Sequence, residues 1–256
     1  MGFTFNGQHS NAFGIFYKTE LIPIIPSKRS ESVEIQGFDG LHVFESDYNN
    51  ILISLACVTV GTKVLDRRKK GRAIAKWLSD TGKLIFDIEK DIEYQVVKIT
   101  SDINAEMSGN VDKFNIVFEC SPIQTQTYYN DSITWEEADT AWAYMNIPWA
   151  GYPRTFEVSG PGTITVENAG TYKALPLIII TGTSASAVVG PITITNLTGT
   201  IYVDCKNKLV YSVSGGAKVN QLSKFSGDFV TLEPGSNLLN VSGTMSVEFD
   251  YKNTFI

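Results

Sequence analysis

Residues 3–15 read Phe3-Thr4-Phe5-Asn6-Gly7-Gln8-His9-Ser10-Asn11-Ala12-Phe13-Gly14-Ile15. Phe3, Phe5, Phe13 and Ile15 are separated by polar residues and glycines, so the stretch alternates, turns and alternates again, which is the signature of short strands. A secretory leader would show a basic start and an unbroken apolar run instead. Strand formation is therefore expected from the first residues of a chain made in a cytoplasm.

Working outward, the same pattern continues. "SESVEIQGFDGLHVF" (30–44) holds two alternating runs around the turn Gly37-Phe38-Asp39-Gly40, and "NILISLACVTVG" (50–61) is a β-branched strand closed by Gly61. One stretch reads as helix. In "LDRRKKGRAIAKWLSDTG" (65–82), Ile74, Trp77 and Leu78 fall on one face, with Asp66 placed to cap the start and Gly82 to close the end. A short strand and a long hairpin follow, turning near Ser108-Gly109-Asn110 and stopped by Pro122.

The composition changes after that. Residues 128–150 carry Asp131, Glu136, Glu137 and Asp139, no lysine or arginine, and the tryptophans Trp135, Trp142 and Trp149. Such a segment is expected to join two domains and to pack its aromatics. From Thr155 to the end there is no arginine, histidine or tryptophan, and short Gly/Thr/Ser/Val runs recur: "TFEVSG", "GTITVENAG", "LPLIIITGT", "PITITN", "GTIYVDC", "NKLVYSVSG", "MSVEFDY". About seven short strands with turn signals between them predict a β-sandwich. The expected organisation is a β-rich domain over 1–127, a connection over 128–150 and a sandwich over 151–256.

The chain has 256 residues and a formal net charge of −6. That balance does not suggest a nucleic-acid binder. The longest apolar run, near Leu175 to Thr181, is strand-sized and too short for a membrane helix. Cys57, Cys120 and Cys205 are odd in number and widely spaced, and read as buried free thiols in a reducing compartment. Asn130, Asn196 and Asn240 begin glycosylation matches, which carry no weight without a secretory route.

Catalytic chemistry is hard to assemble from these residues. The only histidines are His9 and His42, and no nucleophile elbow, phosphate loop, dinucleotide fingerprint or metal-ligand spacing occurs. The expectation is no catalytic, cofactor-binding or metal residue, and no cofactor. Asp87, Glu89, Asp91 and Glu93 could form a cation site or a carboxylate pair, but alternate with Ile88 and Ile92 as the polar side of a strand would. Arg67, Arg68, Lys69, Lys70, Arg72 and Lys76 lie on one helix without interleaved aromatics, and read as a solvated face or a protein interface rather than a phosphate site. From Thr155 on, the sandwich lacks the tryptophan and guanidinium that sugar sites favour.

Taken together these stretches carry a family resemblance. "FTFNGQHSNAFGI", the turn in "IQGFDG", "AKWLSDTGKLIF", "FNIVFECSP", "VENAGTYKALPLIIITG" and "GDFVTLEPGSNLL" resemble, in that order, the distal tail proteins of long non-contractile-tailed bacteriophages. The resemblance implies a mainly β fold: an N-terminal belt domain with one α-helix and a long hairpin, and a galectin-like C-terminal β-sandwich. It implies a structural virion protein of the tail's distal end, synthesised in the host cytoplasm, not an enzyme. Its implied partners are five further copies in a hexameric ring, the major tail tube protein and the tail-tip hub, with DNA passing through the lumen. In some relatives the outer domain also docks receptor-binding proteins. Neither a membrane nor sequence-specific nucleic acid is implied. The alternative class is a carbohydrate-binding, adhesin-like protein using the sandwich for host-surface attachment. A hydrolase built around Asp87 to Glu93 is the third.

Overall fold

The structure, a computed structural model, describes residues 1–37, 39–44, 47–60, 64–100, 103, 106–108, 111–127 and 153–256. The Trp-rich connection expected over 128–150 thus lies outside the described residues. The chain divides into two compact units, Met1–Thr125 with Ile256, and Gln126–Phe255.

The first unit holds β1 (Phe3–Phe5), β2 (Gln8–His9), β3 (Ile15–Leu21), β4 (Lys28–Arg29), β5 (Ser32–Glu34), β6 (Leu41–Val43), β7 (Asp47–Tyr48), β8 (Ile51–Val60), α1 (Val64–Trp77), β9 (Gly82–Phe86), β10 (Glu89–Ile99), β11 (Glu106–Ser108) and β12 (Val111–Cys120), and β13 (Gln124–Gln126) crosses into the second. Its main sheet runs β2-β1-β9-β10-β12-β8-β3, all antiparallel. The opening stretch forms strands as expected. Asn6 (φ 50°) and Gly7 (φ 75°) make a two-residue turn between Phe5 and Gln8, a backbone shape that Asn-Gly adopts with little strain. Ser10–Phe13 is a 3-10 turn rather than strand. Asn6 also locks β1 to β9: its side-chain oxygen accepts from Lys83 N at 3.0 Å and its amide donates to Thr81 O at 3.0 Å.

Strand β8 shows why the sheet has one wet face. Ile51, Ile53, Leu55 and Cys57 are buried, while Leu52, Ala56 and Val60 between them are exposed. The strand pairs residue by residue with β12, from Ile51↔Cys120 to Val60↔Val111. Helix α1 covers the dry face. Ile74, Trp77 and Leu78 are buried, and Trp77 stacks on Phe3 (5.6 Å) and Phe13 (4.6 Å) while its Nε1 donates to Phe5 O at 3.0 Å. The expected helix ends are corrected. The helix begins at Val64, so Asp66 lies in its first turn, where its charge opposes the helix dipole's positive end, rather than at the cap. Gly82 does not close the helix but starts β9; there a Cβ would meet Asn6 Oδ1 at 1.5 Å, so the close approach excludes any side chain. The helix stops earlier, where Ser79 turns its hydroxyl back onto Lys76 O at 2.8 Å.

The second unit holds β14 (Thr155–Val158), β15 (Gly162–Asn168), β16 (Leu177–Val189), β17 (Ile192–Asp204), β18 (Leu209–Ser214), β19 (Ala217–Asn220), β20 (Phe225–Gly227), β21 (Gly235–Ser242), β22 (Met245–Asp250) and β23 (Thr254–Phe255). Its frame is the hairpin of β16 and β17, paired from Leu177↔Asp204 to Val189↔Ile192. One end of β16 pairs β22 and the other β21; likewise β17 pairs β18 at one end and β20 at the other. The long hairpin thereby passes between two strand groups and encloses a core of Ile178, Ile180, Ile194, Ile201, Val247 and Phe249. This corrects the expected count. "PITITN" and "GTIYVDC" are one strand, because Gly199 (φ 80°), opposite Gly182, bends the ladder without breaking it. Strand β19 has four exposed residues and so no alternation to read, whereas β20 and β21 turn only Phe225, Leu239 and Val241 toward the core, too few to stand out as apolar runs.

Candidate functional site

The sequence offered two opposed charge clusters in the first unit, and the structure treats them differently. On α1, Arg68, Lys69, Arg72 and Lys76 are exposed. Lys70 leaves that face: its Nζ donates to Thr59 Oγ1 at 2.6 Å and to Val60 O at 3.2 Å, tying the helix to β8. The acidic cluster does not form a patch. Strand β10 slips register between Glu89 and Tyr94, so the four residues Asp91 to Tyr94 are all buried and the expected alternation fails. Glu93 accepts from Lys83 Nζ with both oxygens, at 3.1 and 3.0 Å, and Asp87 faces His9.

His9 has both ring nitrogens engaged. Nδ1 accepts from Asn11 N at 3.1 Å, so Nε2 carries the proton and donates to Asp87 Oδ1 at 2.9 Å. A ring held at both ends acts as a brace between the β2 turn and the end of β9, not as a general base. His42 is exposed, edge-on to Phe44 at 5.3 Å. Among the described residues no three His, Cys, Asp or Glu side chains gather closely enough to hold a metal ion. The three cysteines are free and buried. Burial pushes the thiols of Cys57 and Cys120 up to about 12 and that of Cys205 to about 11, with the neighbouring Glu119 and Asp204 charges adding to the last two. Such thiols stay protonated and unreactive.

Two further features were not legible as surfaces in the sequence. Between β3 and β8 the chain leaves the sheet as an arm. Its ribbons pair Lys28↔Tyr48 and Arg29↔Asp47, then Ser32↔Val43 to Glu34↔Leu41. Ile24 and Ile25, held between Pro23 and Pro26, are 94% and 76% exposed, and Val33, Ile35 and Phe44 are about half exposed. The prolines were the available signal: they bar the pair of isoleucines from any sheet interior. Beside α1 lies a cleft of about 150 Å³, lined by Thr59, Lys70, Gly71, Ile74, Ala75, Ile103, Asp112 and Phe114.

The second unit has a depression of about 220 Å³ around Leu209, Tyr211, Lys218 and Asn220. A sugar would stack on Tyr211, but that ring is taken from both neighbouring strands. Tyr202 of β17 stacks on it at 5.2 Å and Lys218 of β19 sits 4.3 Å over it. Arg154 is also withheld from any ligand: it is buried, lies 4.3 Å over the Tyr251 ring and donates to Tyr251 O at 2.6 Å.

These features describe a β-rich protein with exposed apolar and charged surfaces and no catalytic constellation among its described residues. Residues 15–120, within the first unit, match the model of the phage tail protein RIFT-related domain. Over 100% of this chain and 99% of the other, the fold is that of the SPP1 Dit protein, described as a paradigm of the hub adsorption apparatus of phages infecting Gram-positive bacteria, at 13% identity and a TM-score of 0.73. Chains of the phage P2 baseplate in its activated conformation, with Ca and with Sr, align at TM-scores of 0.40 and 0.41 with 8% and 7% identity. They cover 95% and 94% of this chain, and 91% and 90% of their own length. No curated protein sequence matches the chain. The resemblance to phage distal tail proteins read from the sequence, and the mainly β fold it implied, are borne out.

Proposed function

We propose that the protein is a structural component of the distal end of a phage tail, a hexameric ring that joins the tail tube to the tail-tip hub and passes DNA through its lumen. The observation that carries this reading is the full-length correspondence in fold with a hub protein, combined with the match of residues 15–120 to the phage tail protein RIFT-related domain. The distribution of surface chemistry supports it. The first unit exposes apolar side chains on its arm and on the wet face of β8, where a monomer would favour polar residues. A ring subunit covers such surfaces with its neighbours under closed symmetry. In this reading the second unit is a galectin-like sandwich that projects from the ring, available to receptor-binding proteins and without affinity for sugar.

Light scattering coupled to size exclusion tests the assembly directly. A mass six times that of the chain, or twelve times for two rings back to back, is expected, with an open-centred ring by electron microscopy. A strict monomer at tens of micromolar, unchanged on adding tail tube protein, would overturn the ring.

A further inference from the structure

Three observations in the first unit converge. The arm exposes Glu31, Glu34 and Asp39, for which no ion pair occurs among the described residues; its Asp47 is already taken by Arg29 at 3.5 Å. Helix α1 exposes Arg68, Lys69, Arg72 and Lys76, likewise without an ion pair among the described residues. The acids that follow it in sequence cannot serve, because Asp87 is bound to His9 and Glu93 to Lys83. Each surface therefore lacks the charge the other carries. Among its described residues the arm is held by bonds within itself, Phe44 N donating to Glu31 O and Asn49 N to Ser27 O with Lys28 over Tyr48, and it rejoins the sheet at Asn50, whose amide donates to Glu119 Oε1 of β12 at 2.8 Å. Its apolar side chains are left outward, while the cleft along α1 is open and mostly apolar.

We propose that the arm of one copy, residues 22–50, docks along helix α1 of the next copy. Glu31, Glu34 and Asp39 face Arg68, Lys69, Arg72 and Lys76, and an apolar side chain of the arm enters the cleft beside Gly71. The inference rests on the ring reading above and names the contact that builds it. A second copy is the occupant because both halves of the complementary pair lie on one chain. Unlike patches on one subunit join head to tail, and repetition of that contact about an axis closes a ring. The cleft is about the size that admits a benzene-sized group in other proteins. It offers burial for one branched or aromatic side chain, while the charges set register and on-rate. Nucleic acid on the basic face would explain the helix but neither the acids of the arm nor its exposed isoleucines.

Charge exchange tests this on the full chain, because every residue changed is exposed and the fold is spared. Three variants are compared with the wild type: Glu31→Lys with Glu34→Lys and Asp39→Lys; Arg68→Glu with Lys69→Glu and Arg72→Glu; and all six together. Assembly is read as the concentration of half-assembly by sedimentation velocity. Each triple reversal should raise that concentration at least about tenfold, and the six-fold variant should recover most of the loss. Gly71→Leu fills the cleft from a position where a Cβ meets nothing within 4 Å, and should weaken assembly without lowering thermal stability. A wild type that assembles while both triple reversals assemble equally well would refute the arm–helix contact and leave the ring intact. Failure of the six-fold variant to improve on either triple would refute it too. A wild type that never assembles would refute both.

Discussion

Truncating Trp77 is the sharpest test of how the first unit is held together. Its indole is buried, stacks on Phe3 and Phe13, meets Phe5 edge-on at 6.1 Å, and donates to Phe5 O. Trp77→Ala removes the largest side chain that α1 contributes to the sheet, and buried Trp→Ala changes lose about 3–5 kcal/mol. The strands β1 and β9 cannot collapse into the space, because Asn6 and the Phe3↔Phe86 to Phe5↔Leu84 ladder fix them, so the upper part of that range is expected. Trp77→Phe keeps a ring for stacking and loses the Nε1–H donor, for which about 1–2 kcal/mol is expected, the hydrogen bond plus some area. Urea unfolding followed by circular dichroism separates the two, with the loss confined to the first unit and the m-value unchanged. A Trp77→Ala variant within about 1 kcal/mol of wild type would mean that α1 is not docked through this side chain.

Two further outcomes concern the cysteines and the second unit. The native state keeps the three thiols protonated, whereas unfolded thiols ionise near about 8.5, so stability is full below that pH and falls above it, by up to about 1.4 kcal/mol per pH unit and thiol. The loss should run until the native values of about 11 to about 12 are reached. Cys57→Ala should flatten the alkaline slope in a denaturation series from neutral pH to pH 10, and thiol reagents should label the native chain only as fast as it unfolds; rapid labelling at neutral pH would contradict the burial. Gly227 has φ 102°, and a Cβ there would sit 1.9 Å from Pro191 O, so Gly227→Ala should destabilise the second unit by at least about 1–3 kcal/mol, read as a lower melting temperature. An unchanged melting temperature would show that β20 is not seated on β17 as described.

Local pattern was enough for much of the fold. The β-branched run "NILISLACVTVG" placed β8, the spacing of Ile74, Trp77 and Leu78 placed the docked face of α1, and Pro122 marked the end of β12. These are readings within one element, where the period of the backbone sets which side chains share a face. The sequence also carried the family resemblance, because turn and strand-end residues recur in order.

The rest depends on neighbours that periodicity cannot see. A bulge in β10 turned an expected polar face inward, and Asp91 and Glu93 became buried; nothing in "DIEKDIE" announces a register slip, because the slip is set by pairing with β9. Two runs separated by Gly199 merged into one strand because Gly182 faces it across the ladder. The candidate surface was decided the same way. Sequence supplied the basic run on α1 and an acidic cluster just after it. Tertiary structure assigned the cluster's Asp87 to His9 and its Glu93 to Lys83, folded Lys70 back onto Thr59, and left the arm's Glu31, Glu34 and Asp39 exposed. Charge on a residue is fixed by its chemistry, but whether that charge is available is fixed by what the fold places within hydrogen-bonding distance of it.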